Sequence, residues 1–165
     1  MTRRVFERFG LSFRLDPGKI TMKAQKMRIR PDFGNAIPII ADGPWPQFPS
    51  DMMSCMIVAA TQARGSVLFF EKMFESRIYF VDRIIAMGAN AIVCDPHRVV
   101  ISGPAKLRGI TMASPDIRAG MAMIIAGACA KGTSVINHAE IIFRGYENLP
   151  GKLTALGVKN SLAEL

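Results

Sequence analysis

Aromatic side chains that could stack on bases are scarce: the 165 residues include one Trp and two Tyr. That scarcity argues against a single-stranded nucleic-acid binder, which needs stacking platforms along its groove. Cysteine is equally sparse. Cys55, Cys94 and Cys129 are odd in number and widely spaced, so neither a zinc-ligand pattern nor a disulfide framework is present, and they are expected to be buried structural thiols. The apolar stretches are short. Ala119 to Ala130 is well under the roughly 20 residues that cross a bilayer, and Gly120 and Gly127 interrupt it. The first ten residues carry Arg3, Arg4, Glu7 and Arg8 without the apolar run of a secretory signal. The expectation is a cytoplasmic protein with no membrane partner, no cofactor and no metal.

Half of the residues are hydrophobic and 21% are charged, the composition of a globular domain able to fold on one core. The net charge of +8 calls for an anionic partner without choosing among phosphates, membranes and nucleic acids. Much of that charge lies near the start, where it is interleaved with apolar residues in Leu11-Ser12-Phe13-Arg14-Leu15 and Ile20-Thr21-Met22-Lys23. This is the alternation of half-buried strands with a solvated basic face.

The chain also repeats itself. A segment opening at Asp51 and one opening at Asp116 each run through a helix-length apolar stretch to a basic residue and a glycine, Arg64-Gly65 or Lys131-Gly132. A β-branched stretch follows in each copy, then an arginine, Arg77 or Arg144, and then a second amphipathic segment ending at Gly88 or Gly157. The period is about 65 to 69 residues, and such self-similarity fixes architecture more firmly than local propensity does. Turn and capping residues in Pro49-Ser50-Asp51 and Ser114-Pro115-Asp116 predict a helix start, and Gly65 and Gly132 stand where left-handed helix caps are expected. Val81 to Met87 and Leu149 to Leu156 read as second helices. Ala91–Cys94 and Arg98–Ile101 read as a hairpin turning at Asp95-Pro96. The organisation is a strand-rich opening segment over 1–42, a first repeat unit over 43–109 and a second over 110–165, all in one domain.

Equivalent positions in packed repeats bring Asp51 towards Asp116 and Arg77 towards Arg144. Carboxylates at helix starts with arginines at strand-to-helix turns could hold a phosphate and move a proton; taken alone, each aspartate reads first as an N-cap. Arg118, in the first turn of its helix, opposes the helix dipole and suits an anionic neighbour. His97 and His138 read as turn or surface histidines, and the eleven methionines as core material.

Five strings in order, Phe48-Pro49-Ser50-Asp51-Met52, Phe74-Glu75-Ser76-Arg77, Met87-Gly88-Ala89, Pro115-Asp116-Ile117-Arg118-Ala119 and Arg144-Gly145-Tyr146-Glu147, resemble the C-terminal part of the enolpyruvyl transferases, in the branch whose acceptor is UDP-N-acetylglucosamine. The resemblance covers about residue 40 to the end. It implies an α/β fold of repeated βαβαββ units forming an inside-out, barrel-like domain. It also implies transfer of the enolpyruvyl group of phosphoenolpyruvate to the 3-hydroxyl of UDP-N-acetylglucosamine, in peptidoglycan precursor synthesis. By the same resemblance Asp51, Asp116 and Arg144 are catalytic, with Asp51 the general base at the sugar hydroxyl. Asp51, Met73, Arg77, Arg118 and Arg144 bind the substrates. The family's Lys-Asn pair and mobile cysteine loop have no counterpart in this sequence, and Ser76 replaces the commoner Asn. The expectation is therefore a partial enzyme, inactive alone, that pairs with a complementary N-terminal half or with itself. A shikimate 3-phosphate transferase-like domain and a non-catalytic module for anions or a partner chain are the alternatives.

Overall fold

The computed structural model describes residues 2–23 and 25–162. Its elements are α1 (Thr2–Arg8), β1 (Phe13–Asp16), β2 (Lys19–Met22), β3 (Ile39–Ala41), α2 (Met53–Gln62), β4 (Gly65–Phe70), α3 (Val81–Ala86), β5 (Asn90–Asp95), β6 (Arg98–Gly103), β7 (Thr111–Ala113), α4 (Ile117–Cys129), β8 (Val135–Asn137), α5 (Glu140–Phe143) and α6 (Leu149–Ala155). No helix among the described residues is long and apolar enough to cross a membrane.

The repeat is visible as two βαβ crossovers. In the first, β3 and β4 pair in parallel with Ile39 opposite Leu68, and α2 connects them. In the second, β7 and β8 pair in parallel with Thr111 opposite Val135, and α4 connects them. A parallel pair needs a connection of this length. The first copy then adds α3 and the antiparallel β5–β6 hairpin, which lies against β4 to give the order β3-β4-β6-β5. It therefore shows the complete βαβαββ pattern, whereas the second runs βα, then β8, α5 and α6.

Helices α2 and α4 lie inside, with the strands of the sheet outside them. Helix α2 packs along α4 and under β6, and Met53, Met56, Ile57, Val58 and Ala60 are all buried. A helix buried on nearly every side must be apolar all round, which is why this run has no polar stripe. From the sheet, Val67, Phe69, Val99 and Ile101 point onto it, fully buried. Gly103 and Gly109 make the seams possible: at each, a side chain would strike backbone, the carbonyls closing α2 for Gly103 and Thr133 for Gly109.

Four features depart from the sequence-based expectations. Helix α1 forms where no element is anticipated, held by an Arg3–Glu7 ion pair of 3.0 Å and by Phe9 buried at its end. Gly65 and Gly132 have positive φ but do not cap the helices, which close on extended Ala63 and Ala130; Gly65 instead starts β4. The two strands expected near the start form the β1–β2 hairpin, turning at Pro17-Gly18, yet they are not half-buried: Leu15, Ile20 and Met22 on the apolar face are half exposed or more. Cys94 and Cys129 are exposed and Cys55 half-buried, rather than all buried. Cys94 lies on the edge strand β5, whose outer side nothing in the described chain covers, and Cys129 ends α4.

Candidate functional site

The two aspartates of the repeat have parted company. Asp116 is a true N-cap: its Oδ1 accepts from the backbone N–H of Arg118 at 2.7 Å and of Ala119 at 2.9 Å, satisfying donors that α4 leaves free. Asp51 caps nothing. It lies within a short 3-10 turn, Ser50–Met52, that delays the start of α2, and this turns its carboxylate outward, half exposed.

Because α2 and α4 pack side by side, Asp51 meets the first turn of α4. Arg118 Nη2 donates to Asp51 Oδ2 at 2.6 Å, and Arg118 Nη1 reaches the Tyr146 hydroxyl at 3.5 Å. The bond to Tyr146, with Asp51 adding its charge, holds the guanidinium above its ordinary pKa. The cation that opposes the helix dipole is thus accounted for by a carboxylate from the other repeat. Arg77 approaches from the turn after β4, with Nη1 3.7 Å from Asp51 Oδ1. Its guanidinium lies over the Phe74 ring, with Cζ 3.7 Å from the centroid. Ser76 just before it takes a left-handed φ of 64°. Nη1 is buried and has no hydrogen-bond acceptor among the described residues, so a strong donor beside Asp51 is unspent.

Residues 51, 77, 118 and 146, drawn from four of the five strings and from both repeats, therefore form one cluster, with Arg77 and Arg118 on the Asp51 carboxylate and Tyr146 on Arg118. Met73 is half exposed on the same turn as Phe74. Arg144 ends α5, exposed and without an ion pair among the described residues; it does not join the Asp51 cluster. Cys55, one turn into α2 from Asp51, is a thiol whose pKa burial raises, with Arg118 opposing that effect. It is no activated nucleophile. His97 and His138 lie in turns, as expected. No grouping of His, Cys, Asp and Glu able to hold a metal occurs among the described residues.

Four contributors went unassigned in the sequence. Tyr146 and Phe74 stand inside the quoted strings, and their neighbouring arginines were the signal. Asp42 and Glu71 are buried acids next to apolar strands, and a charge ending the run Val67-Leu68-Phe69-Phe70 was the available hint.

Such a cluster can place an anion on two guanidinium groups while a carboxylate takes a proton from a neighbouring hydroxyl. The model of the EPSP synthase (3-phosphoshikimate 1-carboxyvinyltransferase) family matches residues 6–153. UDP-N-acetylglucosamine 1-carboxyvinyltransferase of Bradyrhizobium diazoefficiens is 54% identical over 158 residues, covering 95% of this chain and 37% of that protein. The Treponema denticola protein of the same name is 51% identical over 163 residues, covering 98% and 38%. Among solved structures, the enolpyruvyl transferase NikO from Streptomyces tendae superposes with a TM-score of 0.81 at 20% identity, covering 95% of this chain and 35% of that one. EPSP synthase from Acinetobacter baumannii gives 0.59 at 15% identity, covering 81% and 31%. The chain spans a little over a third of the length of these curated relatives.

Proposed function

The chain belongs to the EPSP synthase family of enolpyruvyl transferases, and from that premise we propose that it supplies the acceptor side of an active site that moves an enolpyruvyl group from phosphoenolpyruvate to the 3-hydroxyl of UDP-N-acetylglucosamine. The observation that carries this reading is Arg77 Nη1, a buried donor without a hydrogen-bond acceptor beside the half-exposed Asp51.

As the sugar 3-oxygen bonds to C2 of phosphoenolpyruvate, Asp51 takes the hydroxyl proton and the C2=C3 double bond opens, its electron pair taking up a proton at C3. The C2–O bond to phosphate then breaks, the phosphate leaving with that bond's electron pair, while C3 gives up a proton and the C2=C3 double bond re-forms. Arg77 and Arg118 hold anionic groups of the substrates, Arg144 adds a further cation from its exposed turn, and Met73 lies against the nucleotide sugar. Asp116, both capping α4 and standing two residues before Arg118, assists the proton chemistry by keeping that arginine in place. The nucleotide-sugar branch is supported over the shikimate 3-phosphate branch by identities of about half with the former against 15% with an EPSP synthase.

The remaining part of the site belongs to the length that the relatives have and this chain does not. The open apolar face of Leu15, Ile20 and Met22 supports a complementary segment, or a second copy, covering it. A soluble nucleotide sugar as substrate fits a cytoplasmic location and peptidoglycan precursor synthesis.

Titration of the chain with UDP-N-acetylglucosamine, followed by backbone NMR, is expected to give saturable shifts around Asp51, Met73 and Arg77, weakened about tenfold or more in Arg77→Ala and kept with little loss of affinity in Asp51→Asn. Phosphate release from phosphoenolpyruvate by the chain alone is expected to be nil. Equal or stronger shifts with shikimate 3-phosphate would move the assignment to the other branch. Absence of shifts with both, in a folded chain, would sink the acceptor-site reading.

A further inference from the structure

Behind the site, β4 runs out into Glu71, and the turn over 71–76 carries Met73, Phe74 and, just after it, Arg77. Two acids with no solvent exposure hold that turn. Asp42, at the end of β3, accepts from the backbone N–H of Lys72 through Oδ1 at 2.5 Å. Glu71 accepts from the N–H of Phe74 through Oε1 at 3.2 Å. Their other oxygens, Asp42 Oδ2 and Glu71 Oε2, are buried and have no donor from any described residue, and the parallel register that sets Ala41 opposite Phe70 makes Asp42 and Glu71 the next pair along the two strands. A buried acceptor without a donor is costly, and two ionised carboxylates in contact are more so. One proton between them removes both penalties.

We propose that Asp42 and Glu71 share one proton and form a pH-sensitive clasp on the 71–76 turn, closed when the proton is present and loosened when it is lost, so that the acids position Phe74 and the Arg77 lying on it. The surrounding groups agree. Arg77 is the cation facing Glu71, and its attraction is the weaker influence. Lys72 points its ammonium over the Phe70 ring, at 5.5 Å, and Arg98 lies over the same ring at 5.6 Å while paired with Asp95. His97, from the β5–β6 turn, donates Nδ1–H to the Glu71 carbonyl at 2.8 Å and takes the Glu71 N–H on its own carbonyl. The backbone of Glu71 is thus fixed from one side, leaving the carboxyl as the movable part.

Burial first, and then the Asp42 carboxyl, push the Glu71 pKa up to about 8. The proton is bound more tightly in the folded chain than in the unfolded one, so this pair's contribution to stability is fully present below the ordinary carboxyl range. It declines as pH rises through the interval where only the unfolded chain has lost the proton, and is gone once pH passes about 8.

The proposal needs neither substrate nor turnover, so it stands or falls apart from the reaction assigned above. The test is the carboxyl ¹³C signal of Glu71 together with the amide signals of Lys72 and Phe74, followed from pH 5 to 10 on the chain and on Asp42→Asn and Glu71→Gln. Expected are a protonated-type Glu71 carbon at pH 6 and a common titration of both amides near pH 8. In either variant an amide N–H₂ replaces the proton, and the amide titration is expected to disappear with the turn still ordered. An ionised Glu71 carboxyl at pH 6 in the unsubstituted chain would overturn the proposal without recourse to the variants, as would amide titration that persists in Asp42→Asn.

Discussion

Asp51→Asn is expected to lower turnover by about 10²–10⁴-fold, the usual contribution of a positioned general base, in a chimera where this chain replaces the matching third of the Bradyrhizobium diazoefficiens relative. The substitution is nearly isosteric. Asn keeps an oxygen for the Arg118 guanidinium, which now donates to Asp51 at 2.6 Å, so the packing of α2 on α4 has no reason to change. What is lost is the ability to take a proton from the acceptor hydroxyl. The loss should therefore appear in kcat and kcat/KM alike, with little effect on KM, because only the transition state requires the base. Arg77→Ala should divide differently, raising KM as well, since it removes both an anion donor and the guanidinium stacked on Phe74. A fall of less than tenfold in kcat for Asp51→Asn would mean that another group takes the proton. Asp116 is the poorer candidate for that task, because its Oδ1 is already occupied by two backbone N–H groups.

How much of this could be read from the sequence depends on whether a feature was local, repeated or long-range. The helix and the strand after it in each crossover were legible because the repeat shows the same apolar run, glycine and β-branched stretch twice, and the β5–β6 hairpin because Asp95-Pro96 separates two apolar strands. Helix α1 was not, since seven residues lie below the length at which propensity says anything. Its stability comes from Phe9 and Val5 reaching the core. The strands at residues 13–22 had a legible alternation but an illegible environment: alternation says which residues share a face, not whether anything covers it. Arg118 could be singled out from its awkward place in a first turn. The partner that explains it, Asp51, is 67 residues away and is set by how two helices pack. Asp51 and Asp116 occupy the same slot of the repeat, and only the 3-10 turn at Ser50–Met52 makes one a ligand of arginines and the other a cap. The Asp42–Glu71 pair lies further still from sequence reasoning, because two acids 29 residues apart meet only through the parallel register of β3 and β4.

That register and the hairpin beside it depend on how closely β6 comes to α2, which makes Gly103→Ala the substitution with the largest expected effect on stability. A Cβ at position 103 would press on the Ala63 carbonyl oxygen, and it would come to 2.6 Å from the Ala60 oxygen and 2.9 Å from the Thr61 oxygen. All three belong to the backbone that closes α2, so no side chain can swing aside, and the strand end or the helix end must move. The Thr61 oxygen also accepts from the Ala105 N–H at 2.7 Å, and that bond would be strained by the same displacement. Overpacking of this kind costs about 3 kcal/mol, a large share of the stability of a domain this size. Gly127→Ala in α4 provides the contrast. There the new Cβ would meet only the Ser134 side chain, at 3.2 Å, and replacing a helix-interior glycine returns up to about 1 kcal/mol, so the net change should stay within about 1 kcal/mol of zero. Urea unfolding followed by circular dichroism distinguishes the two: Gly103→Ala should lower the midpoint strongly at an unchanged slope, and Gly127→Ala should leave it nearly where it was. Equal midpoints for the two variants would mean that the β6 end and α2 yield to each other freely. The close seam would then not be what holds the helices inside the strands.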